Sequence, residues 1–330
     1  MKVLIGYDGS DSAQVAIHGL RRAGLPPDVE CRIVSAADVW PGLPKSVDEP
    51  ADATADSLKP PIVRKAEALA ADSRADAQIL ATEGAALVKT AFPGWKVTSE
   101  ATLGSPSQAL IEPSQGKPDL LVVGSQGRSA LGRLVLGSVS QNVLTHATCS
   151  VRISRALNQS ATSANAPARI SPSANKAALG IDAPVRIILG VDGSTHSALA
   201  VSAVASRAWP AGTEVTVIAV LDLQFWSMLA DPSSSAWAWV DEGNKDGRAW
   251  ATRSVEAVAG ELRSAGLAAI PLVVEGDPKR VLVEEAEQRG ADCIFVGAKG
   301  HSALDKFLLG SVSATVSARA LCSVEVVRQA

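Results

Sequence analysis

At 330 residues the chain is long for one domain and suits two of ordinary size. Hydrophobic residues make up 47% and charged residues 20%, which allows a buried core and excludes wholesale disorder. A formal net charge of −3 argues against nucleic acid as the main partner, and four scattered cysteines without a CxxC pair read as reduced thiols of a cytoplasmic protein.

The first apolar run, Val3 to Tyr7, predicts a short strand buried on both faces. It is too short for a signal-peptide core, and no stretch approaches the roughly 20 apolar residues of a membrane span, so neither leader nor membrane is expected. Helical spacing follows over Ser10 to Gly24, then a strand at Cys31 to Ala37, a long Ala-rich helix at Ile62 to Ala91, and a strand at Lys96 to Thr102. A helix at Pro106 to Ser114 leads to a strand at Leu120 to Val123, a glycine loop, a second helix from Gly137, and a strand at Ser150 to Ser154. Residues Ala156 to Pro184 are rich in Ala, Ser, Asn and Pro without apolar periodicity and read as a flexible linker. The same order then returns, with strands at Glu214 to Leu221 and Ala269 to Glu275 around a helix at Gly247 to Ala265. Alternating β and α elements predict a parallel sheet with helices on both faces.

The return is a duplication. "VLIGYDGSDSAQVAI" from Val3 matches "IILGVDGSTHSALAV" from Ile187 (187 − 3 = 184), and "LGSPSQALIE" from Leu103 matches "EGDPKRVLVE" from Glu275 (275 − 103 = 172). "GSQGRSALGRLVLGS" from Gly124 matches "GAKGHSALDKFLLGS" from Gly297 (297 − 124 = 173), and "CSVRIS" matches "CSVEVV" at the same spacing. The division expected is a first domain at 1–155, a linker at 156–183 and a second domain at 184–330.

Both glycine loops read Gly, two residues, Gly, nine residues, Gly-Ser. Glycines at a strand end let backbone approach a ligand closely, and the helix that opens at the later Gly-Ser points unpaired amides at an anion. A plainer reading is that Ser138 merely caps its helix, with Gln141 completing a capping box. Asp8 and Asp192 stand at the carboxyl edge of the sheet, where ligands of open α/β folds sit. Each can accept ribose hydroxyls, help hold a metal on phosphates, or make an Asx turn. There is no GxxxxGK[ST] and no GxGxxG, so P-loop NTPase and NAD dehydrogenase readings fall away.

The Gly-x2-Gly-x9-Gly-Ser pattern behind an Asp-ended first strand resembles the ATP-binding pattern of the universal stress protein family. "GSQGRSALGRLVLGSVSQNVLTHATCSVRI" is similar to that family's usual ending. The resemblance covers both halves apart from the linker and the loops after each second strand. It implies two open-sheet Rossmann-like domains (adenine nucleotide alpha hydrolase-like), each a five-stranded parallel sheet of order 3-2-1-4-5, related by a pseudo-twofold axis. It implies ATP, with Mg2+ as a candidate companion, and a stress-response role. Carried over by position, Asp8 and Asp192 match the first-strand aspartate. Gly124, Gly127, Gly137 and Ser138 match the ribose and phosphate loop, as do Gly297, Gly300, Gly310 and Ser311. Val139 and Val312 would add backbone amides, and Ala36 and Val220 match the position whose backbone meets adenine. The family often has histidine before the second glycine, where this chain has Gln126 and Lys299. Its proline at the start of the last strand is here Ser150 and Ser323.

The last strands carry a further expectation. "CSVRIS" and "CSVEVV" alternate apolar and polar residues at a sheet edge, and pairing them antiparallel covers both edges. Arg152 and Glu325 would then face each other as a cross-strand pair of roughly 0.2–1 kcal/mol, making the chain a covalent pseudo-dimer; a further homodimer stays open. His18, His146, His196 and His301 show no metal-ligand spacing. Trp226, Trp237 and Trp239, read as a loop within Phe225 to Val240, form either a packed lid or a contact surface. Three functions stay open: a nucleotide-dependent stress regulator with one site per domain, a slow ATPase or phosphotransferase, and an interaction module with vestigial pockets.

Overall fold

The computed structural model describes residues 1–37, 61–114, 116, 118–127, 136–156, 183–222, 236–300 and 309–329. Residues 157–182 of the expected linker, Trp226 and His301 lie outside them.

The first half runs β1 (Lys2–Gly6), α1 (Asp11–Gly19), β2 (Glu30–Ala37), α2 (Pro61–Ala91), β3 (Lys96–Leu103), α3 (Pro106–Ser114), β4 (Leu120–Gly124), α4 (Ser138–His146) and β5 (Ser150–Ser154). The second repeats it as β6 (Arg186–Gly190), α5 (Thr195–Ala205), β7 (Glu214–Leu221), α6 (Ala236–Ser264), β8 (Ala268–Glu275), α7 (Pro278–Gln288), β9 (Cys293–Gly297), α8 (Ser311–Arg319) and β10 (Ser323–Val327). All ten strands form one sheet, ordered β3-β2-β1-β4-β5-β10-β9-β6-β7-β8. Each half is therefore 3-2-1-4-5, and the second half is the first turned about an axis between β5 and β10.

Side-chain alternation explains the layers. Val3 and Ile5 join Ile17 of α1 and Val88 of α2 on one face, whereas Leu4 joins the opposite face. In the second half α5 and α6 cover the equivalent face with Val201, Val255 and Leu262. The opposite face holds one apolar cluster that runs through both halves, from Leu110 and Val143 across Val151, Ile153, Val324 and Val326 to Val316 and Leu282.

Strand β10 pairs antiparallel with β5, while every other adjacent pair is parallel. Its register sets Glu325 against Arg152, flanked by Val324 against Ile153 and Val326 against Val151. The pair is more than a cross-strand contact. Arg152 Nη1 lies 3.2 Å from Glu325 Oε2, with side chains 2% and 0% exposed. Arg207 approaches the same carboxylate, its Nη1 donating to Oε2 at 3.0 Å and its Nη2 bonding Oε1. The position matching Arg207 in the first half is Ala23, whose carbonyl accepts from Arg207 Nη1 at 2.9 Å. So the value expected for an ordinary cross-strand pair does not apply to this buried cluster. Removing one partner of a buried pair strands a charge and costs about 3–5 kcal/mol.

Two expectations change. Helix α6 starts at Ala236, not Gly247, so Trp237 and Trp239 lie in its first turns and not in a loop. A glycine inside a helix costs only about 1 kcal/mol, which a 29-residue amphipathic helix packed on the sheet offsets. The first helix is shorter than its pattern: α1 ends at Gly19 and a 3-10 turn carries the chain to Arg22. Gly24 then takes φ +61°, and a Cβ there would lie 2.7 Å from the Trp209 ring of the other half.

Candidate functional site

The carboxyl ends of β1 and β4 meet where the order of strands reverses. After β1 the chain turns through Asp8-Gly9-Ser10, with Gly9 at φ 77°. Asp8 Oδ1 accepts from Ser10 N at 3.0 Å and from Ser10 Oγ at 2.6 Å, while Ser10 Oγ accepts from Ala13 N and caps α1. The second half repeats this: Gly193 has φ 79°, Asp192 Oδ1 accepts from Ser194 N at 2.9 Å, and Ser194 caps α5 through Ser197 N. The Asx turn is thus made, and it uses one oxygen of each carboxylate. The other oxygen faces the glycine loop. A Cβ on Gly127 would sit 3.2 Å from Asp8 Oδ2, and one on Gly300 only 2.8 Å from Asp192 Oδ2.

Each loop is closed at its base. Gly137 N donates to Ser125 O at 2.9 Å and Gly310 N to Ala298 O at 2.8 Å. Helices α4 and α8 begin immediately after, with Gly137 and Gly310 as N-caps and no side-chain cap on either. The capping-box reading of Ser138 is therefore corrected. Ser138 is the first helical residue, Gln141 falls one place too late, and glycine has no side chain to reach back. Ser138 and Ser311 are exposed, and their amides and those of Val139 and Val312 belong to the first turn. Helices α1 and α5, by contrast, are capped by their own serines, Ser10 and Ser194.

The proposed glycines divide into two kinds. At Gly124 a Cβ would meet Ser12 backbone at 2.8 Å, and at Gly297 it would meet His196 backbone at 2.5 Å. These two let the next helix pack on the strand end. Gly127, Gly137, Gly300 and Gly310 line the loop itself. None has a positive φ, so close approach and not a left-handed backbone is what they supply. Ala36 and Val220 lie near the ends of β2 and β7, two residues beyond Val34 and Ile218, whose carbonyls accept from Tyr7 N and Val191 N. They share the carboxyl edge with Asp8 and Asp192.

Sequence reasoning missed Ser140 and Ser313. Ser140 Oγ donates to Gly124 O at 2.7 Å and Ser313 Oγ to Gly297 O at 2.7 Å, tying each helix start to its strand end. The signal was present as a shared "GSVS" at Gly137 and Gly310. The two halves also differ. Gln126 N donates to Ser12 Oγ at 3.2 Å, but position 196, which matches Ser12, is histidine. In the second half Ser194 Oγ donates to Lys299 O at 3.3 Å.

Both sites would suit a polyanionic ligand with a hydroxylated middle: bare helix amides at one rim, a carboxylate at the other. No group of three or more His, Cys, Asp or Glu able to hold a metal occurs among the described residues, and no described helix is long and apolar enough to cross a membrane.

The universal stress protein family model matches residues 1–155 and 185–328. A universal stress protein of Mycobacterium tuberculosis is 26% identical over 339 aligned residues, covering 99% of this chain and 96% of that one. Another from Mycolicibacterium smegmatis is 30% identical over 236 residues, 71% of this chain and 70% of that one. A universal stress protein from Archaeoglobus fulgidus has the same fold with a TM-score of 0.61 at 16% identity, covering 100% and 98% of the two chains.

Proposed function

This chain belongs to the universal stress protein family, and on that premise we propose that it is an ATP-binding stress-response regulator with one adenine nucleotide site per domain. The observation that carries the reading is the repeated pairing of an Asp carboxylate oxygen with a glycine loop, Asp8 with Gly127 and Asp192 with Gly300, beside a helix start that no side chain caps. In this reading Asp8 and Asp192 take the ribose hydroxyls. The amides of Ser138 and Val139, and of Ser311 and Val312, take the phosphates. Ala36 and Val220 offer main-chain groups to the adenine edge. Both rims offer ATP groups of matching polarity, a carboxylate toward the ribose and uncapped helix amides toward the phosphates. Among the described residues, Asp8 and Asp192 are the carboxylates at the two sites that could help hold Mg2+ on the phosphates. The domains are taken as 1–155 and 184–330, joined by 156–183.

Mass spectrometry of small molecules released by denaturing the purified chain tests the ligand class. Adenine nucleotide recovered with the protein supports the reading; a chain that neither retains nor takes up adenine nucleotide defeats it.

A further inference from the structure

Two nine-residue helices begin at the proposed phosphate sites, and the far end of each is held by the opposite domain. Arg155, directly after β5, donates from Nη2 to Ser317 O at 2.6 Å and to Ala318 O at 3.3 Å, in the last turn of α8. Arg328, directly after β10, donates to Leu144 O in the last turn of α4 and reaches Cys149 O at 3.5 Å. Arg155 and Arg328 are matched positions (328 − 155 = 173), and so are Leu144 and Ser317 (317 − 144 = 173). The contact is therefore reciprocal. The carbonyls engaged have no partner within their helices.

The arginines are delivered by paired hydroxyls. Arg155 N donates to Ser323 Oγ at 3.2 Å, and Arg328 N to Ser150 Oγ at 3.1 Å. Both guanidiniums are partly buried and their pKa values are pulled down by desolvation, that of Arg328 to about 10, with the Cys149 thiol acting the other way. Arginine keeps its charge at neutral pH all the same. A nine-residue helix is marginal alone, so its position depends on what holds its ends. Ser140 and Ser313 pin the starts of α4 and α8 to their own domains. The ends are pinned across the interface. A cation at a helix C-terminus and an anion at its N-terminus favour the same dipole.

We propose that Arg155 and Arg328 are positioning residues acting in trans: each fixes the phosphate-facing helix of the other domain, so that each nucleotide site is completed across the β5/β10 junction. The proposal rests on the nucleotide reading above. It makes the two-domain chain the unit of binding, and it predicts a crossed pattern that local damage would not give.

The test uses the full chain with Arg155→Met, Arg155→Lys, Arg328→Met and Arg328→Lys. A photoreactive azido-ATP analogue followed by peptide mapping reads labelling of each domain separately, and amide hydrogen exchange reads α4 and α8 without nucleotide. Arg155→Met should weaken labelling in the second domain roughly 3–10-fold, the scale of one partly buried charge–dipole contact, and leave the first domain unchanged. Exchange in α8 should quicken at the same time. Arg328→Met should do the reverse, and the lysine variants should recover part of each loss. Losses in the variant's own domain, equal losses in both, or no loss would overturn the proposal alone. A wild-type chain that takes up no ATP analogue would overturn the nucleotide reading and the proposal with it.

Discussion

At Gly127 a Cβ would lie 3.2 Å from Asp8 Oδ2, whereas at Gly124 it would lie 2.8 Å from Ser12 backbone. The first neighbour is the end of a side chain and can move; the second is main chain and cannot. Gly127→Val should therefore lower ATP affinity at the first site at least about tenfold while shifting stability by less than about 1 kcal/mol. Gly124→Ala should instead destabilise the fold by about 1–3 kcal/mol through overpacking. Calorimetric titration together with urea unfolding separates the two, and unchanged ATP binding in Gly127→Val would make that loop a structural turn. The cysteines give a second prediction at this scale. Burial pushes the thiols of Cys31 and Cys322 up to about 12, and those of Cys149 and Cys293 up to about 11. A thiol with a raised folded-state pKa favours the folded state below its ordinary pKa, near 9, and loses that contribution as pH climbs through the folded value. Native thiols should resist a disulfide reagent at pH 8, and urea midpoints should fall between about pH 9 and 11. Rapid labelling of folded protein or a flat midpoint profile would contradict this.

Strand β10 shows what the sequence revealed about elements and what it hid. Alternation in "CSVRIS" and "CSVEVV", with two copies meeting about a twofold axis and the resemblance to the family, led to the antiparallel pairing that sets Arg152 opposite Glu325. The third member, Arg207, was invisible because its matched position is Ala23: pattern reading compares the copies, and this contact exists in one of them. Burial was hidden for the same reason, since a charged pair at a sheet edge reads as solvated until the second half covers it. The serines that stand in place of the family's proline, Ser150 and Ser323, receive the main-chain amides of Arg328 and Arg155. Helix α6 was expected to begin only at Gly247, whereas it begins at Ala236, where tertiary packing outweighs local propensity. The prediction follows from the buried cluster. Glu325→Gln leaves the Arg152 and Arg207 guanidiniums without their anion and should cost about 3–5 kcal/mol in denaturant unfolding. A change below about 1 kcal/mol would mean that water reaches the cluster.

Across the whole molecule, duplication makes one continuous ten-stranded sheet whose two topological switch points are related by the β5/β10 axis. The succession of elements was legible in the apolar runs, Asp-Gly-Ser turns and glycine loops that recur in both halves, whereas the strand order 3-2-1-4-5 came from the resemblance to the family. Beyond the β5/β10 pairing, the contacts between halves were not legible, since they join positions that do not match between the copies: Arg22 with Asp292 at 2.6 Å, and Trp209 over Gly24. Those contacts are where the halves stop being copies, as are Gln126 against Lys299 and Ser12 against His196 at the candidate sites. Both halves nevertheless keep an Asp turn and a glycine loop, which in the proposed reading means one nucleotide per domain. Isothermal titration of the intact chain with ATP tests it most directly, run beside Asp8→Ala and Asp192→Ala variants. About two ATP per chain, falling to about one in either variant, is the predicted result; absence of binding, or a stoichiometry that neither variant changes, would contradict it.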